Sequence, residues 1–245
     1  MSTIHFFDAN GGAGNLGDLE KTIVLNKLME TELAERDSKW IADFLKVIDE
    51  ANLKVGEPEI MMSNDGFPYF NLRTIEEGEN FQAFVIKQKL PTILGNGFGV
   101  SINAHKPNPD WIFTYGDLSN LQINNEFYTD EHLFSKNTGN FALGKDEQVL
   151  VGQPSEAILP AFVRQQLREY LQYNGVKMPK IMLIARNYED EANVTQDLVI
   201  NVTPKNFANE KEYEQAMNSI SWFLPRHYSI VGMDENAIPS GFELL

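Results

Sequence analysis

The chain predicts an α+β protein of two domains, on three observations. Helix-like and strand-like periodicities come in blocks rather than in strict alternation, which points to helices laid against antiparallel sheet. The apolar rhythm lapses at "FSKNTGNFALGKDEQ", residues 134–148, where polar residues and glycines accumulate and a domain boundary is expected. After it the order is strand, helix, strand, strand, helix, strand, the split βαβ or ferredoxin-like arrangement of an antiparallel sheet with two helices on one face. The organisation that follows is a glycine-rich leader over residues 1–17, an N-terminal α+β domain over 18–135 opening with a helical hairpin, and a C-terminal ferredoxin-like domain over 145–245.

Asp18 is placed to cap a helix over about 19–35, with Leu19, Ile23, Val24, Leu28 and Met29 near one face. Ser38 is expected to cap a second helix, in which Ile41, Phe44, Leu45 and Ile48 give the i, i+3, i+4, i+7 stripe; "ERDS" then turns the pair into a hairpin. The period changes at "EPEIMMS" and "YFNLRTI", two strands around Asn64-Asp65-Gly66, a strong turn signal. "NFQAFVIKQKL" is a short helix expected to end at Pro91, and "GFGVSIN" and "DWIFTYG" are strands split by the proline-bearing "HKPNPD" loop.

In the second half "QVLVG" is a strand. "LPAFVRQQLREYLQYNG" is a helix with Pro160 suited to its start, Phe162, Val163, Leu167 and Leu171 on one side, and Gly175 as its stop. "KIMLIAR" and "QDLVINV" are strands joined by the acidic "NYEDEANVT". Asn209 with Glu212 caps the helix carrying Tyr213, Met217, Ile220 and Leu224, Pro225 ends it, and "HYSIVGM" is the last strand. In a ferredoxin-like sheet the strand over 180–186 lies at an edge, yet both its faces are apolar. Such an edge needs cover, from the first domain or from a second copy in a homodimer. From Trp40 onward the first half also runs helix, strand, strand, helix, strand, without sequence similarity to the second.

"VLVGQPSEAILPAFVRQQLREYL", residues 149–171, with the strand, strand, helix and strand after it, resembles the carboxy-terminal domain of SseB-like proteins, the bacterial group named for enhanced serine sensitivity. Val151-Gly152-Gln153-Pro154 and the following helix carry the motif part of the resemblance. It implies a fold and brings no catalytic residue, since the group's name records a growth phenotype rather than a reaction.

Composition excludes several chemistries. With no cysteine there is no disulfide, thiolate metal site or cysteine nucleophile. A net charge of −15, with no basic stripe to offset it, makes nucleic acid and anionic membrane poor partners. The amino terminus lacks the basic and apolar regions of a secretory signal, and no apolar run is long enough to span a bilayer, so a cytoplasmic setting is expected. The two N-x-T sequons at Asn193 and Asn201 would then go unused.

Gly12-Ala13-Gly14-Asn15-Leu16-Gly17 satisfies the dinucleotide pattern G-x-G-x-x-G, but a second helix follows the first, so no βαβ unit supplies the ribose acid and the glycines are expected to form a turn. Asp8, Asn10 and Gly12 alternate like a calcium loop, but Ala13 and Leu19 stand where that loop needs a glycine and a bidentate glutamate. His132 beside Asp130 and Glu131 lacks the i, i+4 spacing of a helical metal pair. No cofactor, metal or catalytic residue is therefore assigned.

Trp111, Phe113 and Tyr115 alternate along "DWIFTYG", either as core or as an aromatic contact patch rimmed by Asp110 and Asp117, with Arg226 and His227 placed to face a groove. The candidate binding residues are Trp111, Tyr115, Asp117, Arg226 and His227. The expected function is a non-catalytic binding or regulatory protein acting through a protein partner. The alternatives are a hydrolase or transferase using Tyr115, Asp117, His132, Arg226 and His227, and an acidic immunity-type protein that neutralises a basic partner.

Overall fold

The computed structural model describes residues 16–76, 78–130, 133–134, 148–186, 194–238 and 240–245. Among them are six α-helices and two sheets, of four and five strands. The chain divides into two compact units, Met1–Thr114 and Tyr115–Leu245. The division falls ahead of the expected 134–148 boundary because the helix that begins at Tyr115 belongs to the second unit, where the Gly116 N–H donates to the Trp222 carbonyl at 2.8 Å. The leader up to residue 15, His132, residues 135–147 and the acidic 187–193 stretch lie outside the described residues.

In the first unit α1 (Leu19–Met29) starts on Asp18, whose carboxylate accepts from the Lys21 N–H at 3.0 Å. It is shorter than 19–35 and rotated from the expected face: Thr22 and Leu25 are buried, while Leu19, Ile23 and Val24 are exposed. Apolar residues fall on both sides of this helix, so period alone cannot choose the inner one. Contacts at its start do. Gly17 N–H donates to Asn52 Oδ1 at 2.7 Å, Asp18 N–H to the Glu50 carbonyl at 2.9 Å, and Asn52 N–H to Thr22 Oγ1 at 2.9 Å. A Cβ on Gly17 would sit 2.4 Å from the Glu50 carbonyl oxygen, so the glycine is there for close backbone approach.

A 3-10 turn (Leu33–Glu35) leads to α2 (Ser38–Leu45), capped by Asp37 rather than Ser38: the Asp37 carboxylate accepts from the Trp40 N–H at 2.8 Å. Trp40 and Phe44 form its buried stripe, and Ile48 is buried in the turn just beyond its end. Strands β1 (Lys54–Met62) and β2 (Pro68–Arg73), helix α3 (Ile86–Gly95), and strands β3 (Gly99–Ile102) and β4 (Trp111–Phe113) complete the unit. The sheet order is β1-β2-β3-β4, with β2 and β3 parallel and the outer pairs antiparallel. Pro91 lies inside α3 instead of ending it. Pro91 is exposed, as is Lys87, whose carbonyl it deprives of a partner, while Ile86 and Leu90 before it and Ile93 and Leu94 after it are buried and hold the helix through the break.

The second unit comprises α4 (Tyr115–Asn124), β5 (Leu150–Gly152), α5 (Ala161–Tyr173), β6 (Lys180–Arg186), β7 (Thr195–Ile200), α6 (Glu210–Ser221), β8 (Ile230–Gly232) and β9 (Glu243–Leu244). Its sheet order is β5-β6-β7-β8, with β9 also on β6, and only β7 and β8 are parallel. A ferredoxin-like sheet interleaves its strands and leaves 180–186 at the edge. Here that strand is interior. β5 pairs with Leu183–Ala185 and β9 with Lys180–Ile181, end to end along one side of β6, and Gln153 Nε2 ties the two by donating to the Gly241 carbonyl at 2.8 Å. The second apolar face of "KIMLIAR" is covered as well: Met182, Ile184 and Val199 form a cluster under Val149, Val231, Met233, Ile238 and Phe242. The exposed apolar edge that called for a homodimer through 180–186 does not exist, because the carboxy-terminal segment folds back over it.

The two units share a connectivity. α2-β1-β2-α3-β3 and α5-β6-β7-α6-β8 both run helix, strand, strand, helix, strand, with the first strand pair antiparallel and the second parallel. In each, the residue after the last strand donates back to the same register position: Asn103 N–H to the Leu72 carbonyl at 2.8 Å, and Met233 N–H to the Ile200 carbonyl at 2.9 Å.

Candidate functional site

The alternating aromatics of "DWIFTYG" do not share one face, because β4 ends at Phe113 and Tyr115 opens α4. Trp111 joins the aromatic core of the first unit, 5.0 Å from Phe44 and 6.1 Å from Trp40 between ring centres. Asp110 beside it is not a rim residue. Its side chain is 1 % exposed and takes Arg36 Nη2 at 2.7 Å, Asn103 Nδ2 at 2.7 Å and Lys106 Nζ at 2.6 Å. Burial pushes the Asp110 carboxyl up, but the three donors outweigh it and hold it below the ordinary carboxylate range. Arg36 lies over the Trp40 ring at 4.3 Å, and Asn103 adopts φ 56°, a left-handed conformation that asparagine tolerates. This network anchors the "HKPNPD" loop to the α1–α2 connection.

The second unit gathers the remaining candidates, and Gly116 makes this possible. A Cβ there would fall 1.9 Å from the Leu224 carbonyl oxygen, so only glycine lets the start of α4 lie against residues 222–224. Tyr115 then packs at 5.9 Å from both Trp222 and Phe223, fully buried, and its hydroxyl donates to the Phe162 carbonyl at 3.3 Å. Burial drives its pKa up, so it is a core tyrosine held neutral.

Two residues on, Asp117 sits in the first turn of α4, where a carboxylate suits the helix dipole. Pro225 places Arg226 opposite. Arg226 Nε donates to Asp117 Oδ1 at 2.7 Å and Nη2 to Oδ2 at 2.9 Å, a two-pronged fork. Exposure is unequal: the Asp117 side chain is 0 % exposed, that of Arg226 58 %. The Arg226 guanidinium also lies 4.2 Å over the Tyr128 ring. Burial works against its charge, and the bonds to Asp117 more than compensate, so its pKa is raised. The Nη1 amino group takes no part in the fork.

His227 stands edge-on to Tyr228 at 4.7 Å, and Tyr228 stacks on Phe134 at 4.2 Å. The Tyr228 hydroxyl donates to the Ile158 carbonyl at 2.7 Å, and burial lifts its pKa to about 12. Ser229 follows, donating to the buried Asp197 carboxylate at 2.6 Å. Residues 222–229 therefore spend each side chain in turn on the unit's own packing, and the Arg226 head alone combines a fixed position with wide exposure. Of the five expected binding residues, Tyr115, Asp117, Arg226 and His227 come to this unit and Trp111 does not. Sequence reasoning missed Tyr128, which sits after α4 in irregular chain and carries no periodic signal.

Neither Tyr115 nor Asp117 can reach a substrate from its buried position, which takes away two of the groups a hydrolase reading needs. Among the described residues no group of three or more His, Asp or Glu could hold a metal ion, and no helix is long and apolar enough to cross a membrane. Of the G-x-G-x-x-G glycines only Gly17 is described, and it serves packing. The first turn of α1 already carries Asp18 and Glu20, which repel a phosphate. Set against family models, curated proteins and solved structures, the chain matches none.

Proposed function

We propose that this chain is a non-catalytic binding or regulatory protein of the bacterial cytoplasm, acting through a protein partner that presents an anionic group to Arg226. The observation behind this reading is the fork itself. A guanidinium locked on a buried carboxylate and seated on an aromatic ring loses little freedom on binding, and its outward N–H groups suit a carboxylate. On a surface of net charge −15 such a fixed cation is also selective, since the surrounding field discourages anions that lack further contacts. The resemblance of residues 149–171 to the carboxy-terminal domain of SseB-like proteins is part of the same proposal, supported by β5 leading into α5.

The test compares wild type with Arg226→Lys, which keeps the charge opposite Asp117 but loses the planar fork. Both immobilised chains, matched for thermal melting, are exposed to extract, and retained proteins are compared. A partner held by wild type and lost, or weakened at least about tenfold, in Arg226→Lys supports the reading. Retention of nothing above background rejects it, and turnover of ester or phosphoester substrates that disappears with Arg226→Lys rejects it in favour of a catalytic role. A partner whose binding collapses with salt yet ignores Arg226→Lys would instead favour neutralisation of a basic protein by overall charge.

A further inference from the structure

We propose that the carboxyl ends of β2 and β3 form a binding site for a small phosphomonoester, held by Arg73 with His105 and Lys106 beside it. No run of the sequence is basic, and the fold assembles the cluster from three separate segments. Lys54 on β1 stands opposite Arg73 in register, so both side chains leave the same face of the sheet. Asn103, just past β3, fixes the turn that follows: its Oδ1 accepts from the Thr74 N–H at 3.0 Å and its carbonyl from the Lys106 N–H at 3.1 Å. That turn carries His105, exposed, within electrostatic reach of Arg73 at the end of β2.

The cluster keeps binding capacity in hand. Lys54 closes on Glu79 through bonds of 2.5 and 2.6 Å and Lys106 on Asp110 through one of 2.6 Å, but neither Arg73 nor His105 has an ion-pair partner among the described residues. Arg73 Nη2 donates to the Glu57 carbonyl at 3.2 Å, while Asn71 Oδ1, two residues back on the same face, takes nothing from it. The Lys106 ammonium, 40 % exposed, retains N–H groups beyond its bond to Asp110. After partial burial, the largest influences on His105 are the charges of Arg73 and Lys106, then Asp110 in opposition, then Lys54, and their sum holds its pKa below the ordinary value. Three cations to one acid around a single histidine is a local reversal of sign on a chain of net charge −15. These features choose the ligand. A planar guanidinium, an imidazole and an ammonium together suit an anion with several oxygens and two charges, as a phosphate group has. The acidic remainder of the surface turns away polyanions, whose charges extend past the roughly 8 Å over which a cation is felt in salt. The carboxyl ends of parallel strands joined through a helix, as β2 and β3 are through α3, are also where ligands collect in such sheets. The site lies in the first unit and does not rest on the Arg226 reading.

Calorimetric titration of the full chain with methyl phosphate, at about 50 mM salt and about pH 7.5, tests it. With a second pKa of about 6 the ligand is already a dianion there, so any proton taken up on binding goes to the protein. Wild type is expected to bind with a Kd between about 0.1 and about 1 mM, to bind acetate at least about tenfold more weakly, and to take up a proton as the bound anion favours charged His105. Arg73→Gln should weaken binding at least about tenfold. His105→Gln should weaken it about threefold and abolish the proton uptake, and Arg226→Lys should change neither. Should Arg73→Gln melt early, His105→Gln, at an exposed position, decides alone. Absence of binding up to about 20 mM methyl phosphate overturns the proposal. So does binding that ignores His105→Gln or a folded Arg73→Gln, binding without proton uptake, or acetate held as tightly as methyl phosphate.

Discussion

Replacing Arg226 by alanine strands the Asp117 carboxylate inside the second unit. At about 4 Å between charge centres and an effective dielectric of about 20, the attraction lost is about 4 kcal/mol. Removing one member of a fully buried pair costs about 3–5 kcal/mol, most of it from the charge left behind. Water reaches Arg226, whose side chain is 58 % exposed, and this screening brings the expected loss down to about 2–4 kcal/mol. Urea unfolding reads it cleanly in a Trp40→Phe/Trp111→Phe background, where Trp222 reports on the second unit alone. With a slope of about 1.5 kcal/mol per molar urea, a 3 kcal/mol loss moves the midpoint by about 2 M. Asp117→Asn should cost a similar amount, and the double variant should lose about 1.5–3 kcal/mol less than the sum of the singles. A loss under about 1 kcal/mol for Arg226→Ala, or plain additivity, would refute the idea that Asp117 fixes the guanidinium.

Three further outcomes follow from the same geometry. Gly17→Ala should destabilise the first unit by about 2 kcal/mol or more, because its Cβ meets the Glu50 carbonyl at 2.4 Å and Val85 Cγ2 at 2.9 Å; a change below about 0.5 kcal/mol in urea melts would show that the approach is not close. The Glu50 carboxyl is pulled down to about 2 by the hydrogen bond from Lys21 and then that from Lys87. A lowered acid stabilises the fold above its unfolded value of 4.5 and loses that contribution as pH falls toward 2. Glu50→Gln should therefore cost about 1 kcal/mol near pH 7, a figure discounted for a side chain 37 % exposed, and the gap to wild type should close between pH 4.5 and 2 in thermal melts; a constant gap would count against the pairing. Met182→Asp should cost about 3 kcal/mol or more by placing a carboxylate in the Ile184 and Val199 cluster, and a tolerant Met182→Asp would mean the second face of β6 is not covered.

Much of the local structure was legible. The Asn209 and Glu212 pair does cap α6, with Asn209 Oδ1 accepting from the Glu212 N–H at 3.0 Å. Gly66 and Gly175 adopt φ of 84° and 93° where a turn and a helix stop were expected. Of the four residues expected on one side of α5, Val163, Leu167 and Leu171 are buried and Phe162 is half-buried. The candidate site was legible in part: Asp117 was named as the rim of an aromatic patch and Arg226 as a group facing a groove, not as partners. They lie 109 positions apart, and no period or motif links them.

The sequence by itself determined that the chain is α+β and the type of most segments, though not helix α4 or strand β9, nor the ends of α1 and α3. Those properties depend on residues within a few positions of one another, through caps, turn glycines and the repeat of apolar side chains. Only the tertiary structure decided that β6 is interior, that α1 turns Leu19 and Ile23 outward, and that Asp117 holds Arg226. Each of these is a choice among pairings of distant segments that are equally good locally, and it is settled by which close approaches the whole chain permits, at Gly17, at Gly116 and along the fold-back of β9.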